Sequence, residues 1–191
     1  MWRLRSQSIK VNAVIKVKSK RLLIRELSEK DVTTKYVAWM NDPHINRYLE
    51  TRFSAQTEES VGDFVNSIQK DPDSFLFGIF DVKTGSHIGN IKLGPINRHH
   101  GSAQISLLIG DRSCHGKGYA TEAISALTDW GFQDCGLERI EAGCYETNLG
   151  SLRAFLKCGY EVEGFFRKSR IDGEGQRIGS FWFARLNTKD D

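Results

Sequence analysis

A run of alternating residues, Ala103 to Ile109, leads directly into Gly110-Asp111-Arg112-Ser113-Cys114-His115-Gly116-Lys117-Gly118, and a helix-periodic apolar pattern begins at Tyr119. A strand that ends in a glycine-rich loop and resumes as a helix commits the chain to a sheet with a helix packed back onto it. Gly116 and Gly118 let the backbone approach a ligand closely. The helix that follows turns its unpaired amides and its positive dipole end toward the same spot. An anion is the expected guest, and a phosphate suits the geometry best.

Two phosphate motifs fail on this stretch. A Walker loop needs four residues between its glycines and Lys-Ser/Thr after the second, but five residues separate Gly110 from Gly116, and Gly118 follows Lys117. A dinucleotide fingerprint beginning at Gly116 needs Gly or Ala at position 121, where Thr121 stands.

The rest of the chain supplies the sheet. Arg21 to Leu27, Ser74 to Asp81, His87 to Leu93, Ala103 to Ile109, Arg139 to Tyr145, Tyr160 to Phe166 and Ser180 to Leu186 read as strands. Helices are expected after Ser28 and Asp31, after Thr57, from about Tyr119 to Phe132, and from Ser151 to Lys157. The expected fold is α/β (α+β): a mixed, mostly antiparallel sheet of about seven strands flanked by about four helices. With 191 residues and neither repeats nor a linker, one domain is expected. It spans 20–191, preceded by a basic extension or extra strand over 1–19.

Charge is distributed unevenly. Met1 to Arg25 holds eight of the 27 Lys and Arg and no acid, leaving 19 basic against 24 acidic residues beyond it. A basic arm suits nucleic acid, yet Ile9, Val11, Ala13, Ile15 and Val17 alternate with mostly polar neighbours as in a half-buried strand. Nucleic-acid binding is therefore the least favoured class. No segment approaches the ~18 apolar residues of a membrane span, and Met1 to Lys10 lacks the apolar centre of a secretion signal, so a cytoplasmic protein is expected. Cys114, Cys135, Cys144 and Cys158 are spaced as neither a zinc site nor a disulfide scaffold, and no metal is expected.

The run His115-Gly116-Lys117-Gly118-Tyr119-Ala120 resembles the pyrophosphate loop of the GNAT acyltransferases, Gln/Arg-x-Gly-x-Gly-x-Gly/Ala, with His115 in place of Gln or Arg. Its extension through Thr121-Glu122-Ala123 is similar to the branch containing the ribosomal-protein N-terminal acetyltransferases. Asn148-Leu149-Gly150-Ser151, followed by Gly159-Tyr160, resembles a second family segment at the right distance. Arg21 to Arg25 and the hairpin around Asp172-Gly173 complete a resemblance that covers about Lys20 to Leu186.

The resemblance implies acetyl-CoA as co-substrate and direct attack of an amine on the thioester. It implies cofactor contacts at Leu108, Ile109, His115, Gly116, Lys117, Gly118, Tyr119, Ala120, Thr121, Asn148 and Ser151. Such chemistry needs a base for the amine and a proton for the departing thiolate. Ser151 is the candidate acid, because Phe155 stands where many members have tyrosine. Glu146 and His100 are the candidate bases, with Glu141 weighed beside them; Gln104 cannot accept a proton at neutral pH. Cys114 beside His115 invites a nucleophile reading, but no orienting acid is evident. The acceptor expected by resemblance is an amino group on a nucleotide-linked sugar of surface-polysaccharide synthesis, with Arg47, Arg52 and Arg98 available to its phosphates. Protein N-termini, polyamines or antibiotics come next, and a CoA-binding sensor without turnover is the non-enzymatic alternative. A homodimer is a habit of the family.

Overall fold

The computed structural model describes residues 14–187. One eight-stranded sheet has the order β1-β2-β3-β4-β5-β6-β8-β7. Its strands are β1 (Lys16–Lys18), β2 (Leu22–Glu26), β3 (Phe75–Asp81), β4 (His87–Asn97), β5 (Ser102–Ile109), β6 (Arg139–Tyr145), β7 (Glu161–Ile171) and β8 (Arg177–Leu186). The helices are α1 (Thr34–Asn41), α2 (Pro43–Asn46), α3 (Glu58–Lys70), α4 (Tyr119–Gln133) and α5 (Leu149–Lys157). Every neighbouring pair is antiparallel except β5 and β6.

The expected seven strands and four helices become eight and five. The additional strand is Lys16–Lys18, paired with Leu23 to Arg25. The earlier part of the alternating stretch, Ile9 to Ala13, lies outside the described residues. The additional helix is one turn that starts at Pro43, whose fixed φ suits a first helical position. Ser28 and Asp31 do form a capping box, but around a short 3-10 turn, Glu29–Asp31. Thr33 instead caps α1 by accepting from the Tyr36 amide.

Alternation along the strands assigns the two faces. Phe75, Phe77 and Ile79 of β3, Ile105 of β5 and Ile140 and Ala142 of β6 form one core with Ala123, Ile124 and Leu127 of α4. On the other face Leu27 and Leu76 pack against Tyr36 and Trp39 of α1 and Val61 and Val65 of α3. These helices cover β2 to β4 but leave Gln104 and Ser106 of β5 and Gly143 of β6 exposed. The uncovered half-sheet is where the two parallel strands separate.

Candidate active site

β5 and β6 pair only at Ser102–Arg139, Ala103–Ile140 and Gln104–Glu141, and then diverge. Each strand continues past that vertex, β5 to Ile109 and β6 to Tyr145. The result is a wedge open at the C-terminal ends of two parallel strands, where open sheets usually bind ligands. Parallel strands with no third strand between them leave backbone amides without ladder partners, and these amides can receive an extended guest.

Register decides which amides these are. Gly110 N donates to Ile88 O at 2.9 Å, so alternation turns the Leu108 amide toward β4 and the Ile109 amide toward the wedge. Of the two expected contacts, only Ile109 presents its amide to the opening. The His115 imidazole lies 2.8 Å from Ile109 O, and since a carbonyl only accepts, Nε2 carries the proton there. His115 thus fastens the loop to the end of β5, while the Cys114 sulfur lies 3.9 Å from Ser113 Oγ.

The glycine loop closes onto α4. Gly116 has φ +71° and Gly118 +78°, values that ordinary residues adopt only with strain. Gly118 is the N-cap and offers no side-chain acceptor, so the first amides of α4, those of Tyr119, Ala120 and Thr121, face outward uncapped. Beside them runs a groove of about 560 Å³ between α4 and α5, lined by Lys18, Thr121, Ser125, Lys157 and Cys158 among others. Its glycine edge, helix terminus and two lysines suit a phosphorylated ligand.

The loop is braced by a residue that motif reading missed as a site residue. Arg21, in the turn between β1 and β2, donates through Nε to Glu122 at 2.6 Å and through Nη1 to Lys117 O at 3.0 Å. Its guanidinium lies 4.2 Å from the centre of the Tyr119 ring, and the Tyr119 hydroxyl donates to Asp81 at 2.8 Å. Glu122 also accepts from Arg21 N and Ser19 Oγ. Burial pushes the Glu122 carboxyl upward, but the Arg21 and Ser19 hydrogen bonds outweigh it and hold the group below its ordinary range.

On the β6 side of the wedge, Asn148 caps α5 by accepting from Ser151 N at 3.2 Å. Ser151 is therefore not the cap, and its hydroxyl sits in the first turn of a helix whose capping another residue supplies. Phe155 is 1% exposed and packs on Tyr160 and Phe183, so its ring belongs to the core.

The candidate bases separate. His100 lies in the turn before β5, at the closed end of the wedge; the seven steps of β5 at about 3.3 Å each put that end roughly 23 Å from Ile109. Arg98 stays there with it, paired to Asp73 at 2.5 Å. Glu141 stands at the vertex and is held by Arg139 at 2.7 Å. Glu146 N donates to Gly179 O, which continues the β6–β8 register and turns the Glu146 side chain to the α5 face, beside Gly179 and Phe165.

Tyr145 points to the opposite face. It stands four residues past Glu141, as Leu108 stands four past Gln104, so the two face each other across the opening about 13 Å above the vertex. The Tyr145 hydroxyl donates to Glu50 at 2.7 Å and accepts from Arg52 at 3.0 Å. Arg52 also donates to Leu49 O and to Ile171 O of β7, and Tyr48 donates to Thr147 O at 3.0 Å. The segment from Tyr48 to Arg52 thereby spans from the α1 side to the ends of β6 and β7. Tyr145 escaped sequence reading although a polar-tipped aromatic at the last position of a strand was a readable signal. Its partners lie 93 and 95 residues away and had none.

A sheet split between two parallel strands, with a glycine-led helix terminus at the mouth, defines the class of acyl-CoA-dependent acyltransferases. The model for the acetyltransferase (GNAT) domain matches residues 21–161. An uncharacterized N-acetyltransferase p20 of Bacillus licheniformis is 30% identical over 88% of this chain and 94% of its own length. A probable N-acetyltransferase, YjcK, of Bacillus subtilis is 35% identical over 59% of this chain, and the match spans 62% of that relative. The crystal structure of a GNAT-family acetyltransferase from Bacillus anthracis has a TM-score of 0.77 at 27% identity, covering 90% of this chain and 98% of that one. The chain belongs to the GNAT acetyltransferase family, and it is an acyltransferase with acetyl-CoA as co-substrate.

Proposed function

We propose that the chain acetylates the primary amine of a small anionic acceptor, a nucleotide-linked amino sugar in the first instance. The single observation that carries the division of labour is the wedge. One face offers the uncapped terminus of α4, and the other offers a polar cluster drawn from distant segments. In this reading the diphosphate of acetyl-CoA rests on the amides from Gly116 to Thr121, and its extended arm runs past the Ile109 amide and Asn148. The amine enters from the Tyr145 face.

The chemistry follows from what each face holds. The amine nitrogen attacks the thioester carbon, the carbon–sulfur bond breaks, and the thiolate takes a proton relayed through Ser151 Oγ, which regains one from solvent water in the same step. The amine proton must leave on the acceptor face, where Glu146 does not point and His100 does not reach. Tyr145 is placed for this step: its oxygen accepts the amine proton as its own proton passes to Glu50. Arg52 steadies the hydroxyl throughout.

Arg47, 4.8 Å from the centre of the Tyr48 ring, supports an acceptor bearing phosphate, while Arg52 is committed to Leu49, Tyr145 and Ile171. Glu50 beside them supports a second reading, a cationic polyamine or a protein N-terminus. The test is thiol release from acetyl-CoA with nucleotide amino sugars, polyamines and short peptides. Turnover with the sugars alone is expected. Turnover confined to peptides or polyamines moves the acceptor to the second reading, and silence across the panel contradicts the proposal.

A further inference from the structure

Resting on the cofactor placement just proposed, we infer that Arg21 is a positioning residue whose main task is to cancel the Glu122 carboxylate within the cofactor groove. Glu122 lines that groove one turn into α4. An acid in the first turn stabilises a helix, yet a carboxylate here stands beside a cofactor that carries several phosphate charges. The fold resolves this conflict by saturating the carboxylate. Ser19 Oγ, Arg21 N and Arg21 Nε donate to it at 2.8, 2.6 and 2.6 Å, so none of its charge is left to face the groove unopposed. The same guanidinium reaches Lys117 O, and Nη2 lies 3.6 Å from where a Gly118 Cβ would stand. One arginine therefore masks the acid and fixes the loop that holds the anion.

The groups around Glu122 define the expected pH response. Arg21 comes from the β1–β2 turn, Lys18 from β1, Asp129 from two turns further along α4, Lys157 from the end of α5 and Cys158 from its C-cap. Asp81 approaches through its bond to Tyr119. Of these, it is the charged side chain of Arg21 that donates a hydrogen bond to the carboxylate. With the guanidinium removed, the Ser19 hydroxyl and the amide of residue 21 still donate to the carboxylate, so it keeps its charge and faces the groove without a cation beside it.

The experiment measures CoA dissociation constants by calorimetry for the wild type, Arg21→Gln, Glu122→Gln and the double variant, at pH 7.5 and 5.5. Arg21→Gln should weaken binding by roughly 10- to 30-fold at pH 7.5. The double variant should return to within about threefold of wild type at both pH values. Glu122→Gln alone leaves Arg21 in place and should bind CoA about two- to threefold more tightly, which tests the idea without an arginine variant. A double variant as weak as Arg21→Gln overturns charge cancellation, as does Glu122→Gln binding more weakly than wild type. Wild-type protein that binds no CoA sinks the cofactor placement itself, whereas tight wild-type binding with an unaffected Arg21→Gln sinks only this inference.

Discussion

On the α4 side of the wedge, the surface on offer is backbone: two left-handed glycines, three uncapped amides and one strand amide, all within Ile109 to Thr121. On the Tyr145 side it is side chain: Tyr48, Glu50 and Arg52 from the α2–α3 connection meet Tyr145 and Arg170 from the far half of the sheet. The contrast matches the chemistry of the two substrates. A phosphate and an extended amide-containing arm are recognised by peptide groups, which any sequence supplies once the chain is bent correctly. An acceptor amine is selected by particular functional groups, which must be brought together from wherever the fold can spare them.

The largest break in this comparison should come from Gly118→Val. A β-branched residue at φ +78° is strained by about 1 to 3 kcal/mol, and relieving that strain rotates the α4 amides away. CoA affinity should fall on the order of 100-fold, with acceptor selectivity among residual turnovers unchanged. Calorimetry, with a melting curve to confirm folding, checks it. On the other side, Tyr145→Phe keeps the buried ring and removes only the hydroxyl. It should lower kcat by about 100-fold while the KM for acetyl-CoA stays within twofold. A rise in that KM instead would mean that the two faces are not separate.

Ser151→Ala sharpens the boundary between them. Because Asn148 supplies the cap, the melting temperature should hold, while kcat drops about tenfold, a modest loss because a thiolate leaves readily. Asn148→Ala should instead touch both, costing about 1 kcal/mol of stability through the lost cap and raising the KM for acetyl-CoA.

Away from both faces, Asp31 sets an acid limit. Burial raises its carboxyl, but the Arg25 guanidinium and Ser28 outweigh this and hold it at about 2. Because the folded value lies below the unfolded one, the stabilisation is complete above about pH 4 and fades as the pH falls toward 2. Urea titrations of Asp31→Asn against wild type should differ by about 1 to 2 kcal/mol at neutral pH, a gap that closes near pH 2. The smallest effect belongs to His100→Ala, at the closed end of the wedge, which should leave kcat and both KM values unchanged in the thiol-release assay.

The same contrast explains what could be read from the chain. Gly116, Gly118 and the helix start at Tyr119 are contiguous, and their φ values follow from local sterics, so the left-handed loop and the helix it opens were visible in the sequence. Thr57 as the cap of α3 and the bounds of β6 were visible for the same reason. Glu146 was misdirected because choosing a face requires the β6–β8 register, which sequence does not supply. His100 failed because the strand that carries the loop runs away from it. Tyr145 and Glu50, and likewise Arg21 and Glu122, meet only when segments about 95 to 101 residues apart are folded together.

Hydrogen exchange with and without CoA and a substrate amine tests the division of the wedge most directly. CoA alone should protect the amides from Ile109 to Glu122 and around Asn148, and leave those from Tyr48 to Arg52 and at Tyr145 unchanged until an amine is added. Protection of the Tyr48 to Arg52 segment by CoA alone, with the glycine loop still exchanging freely, would contradict the account.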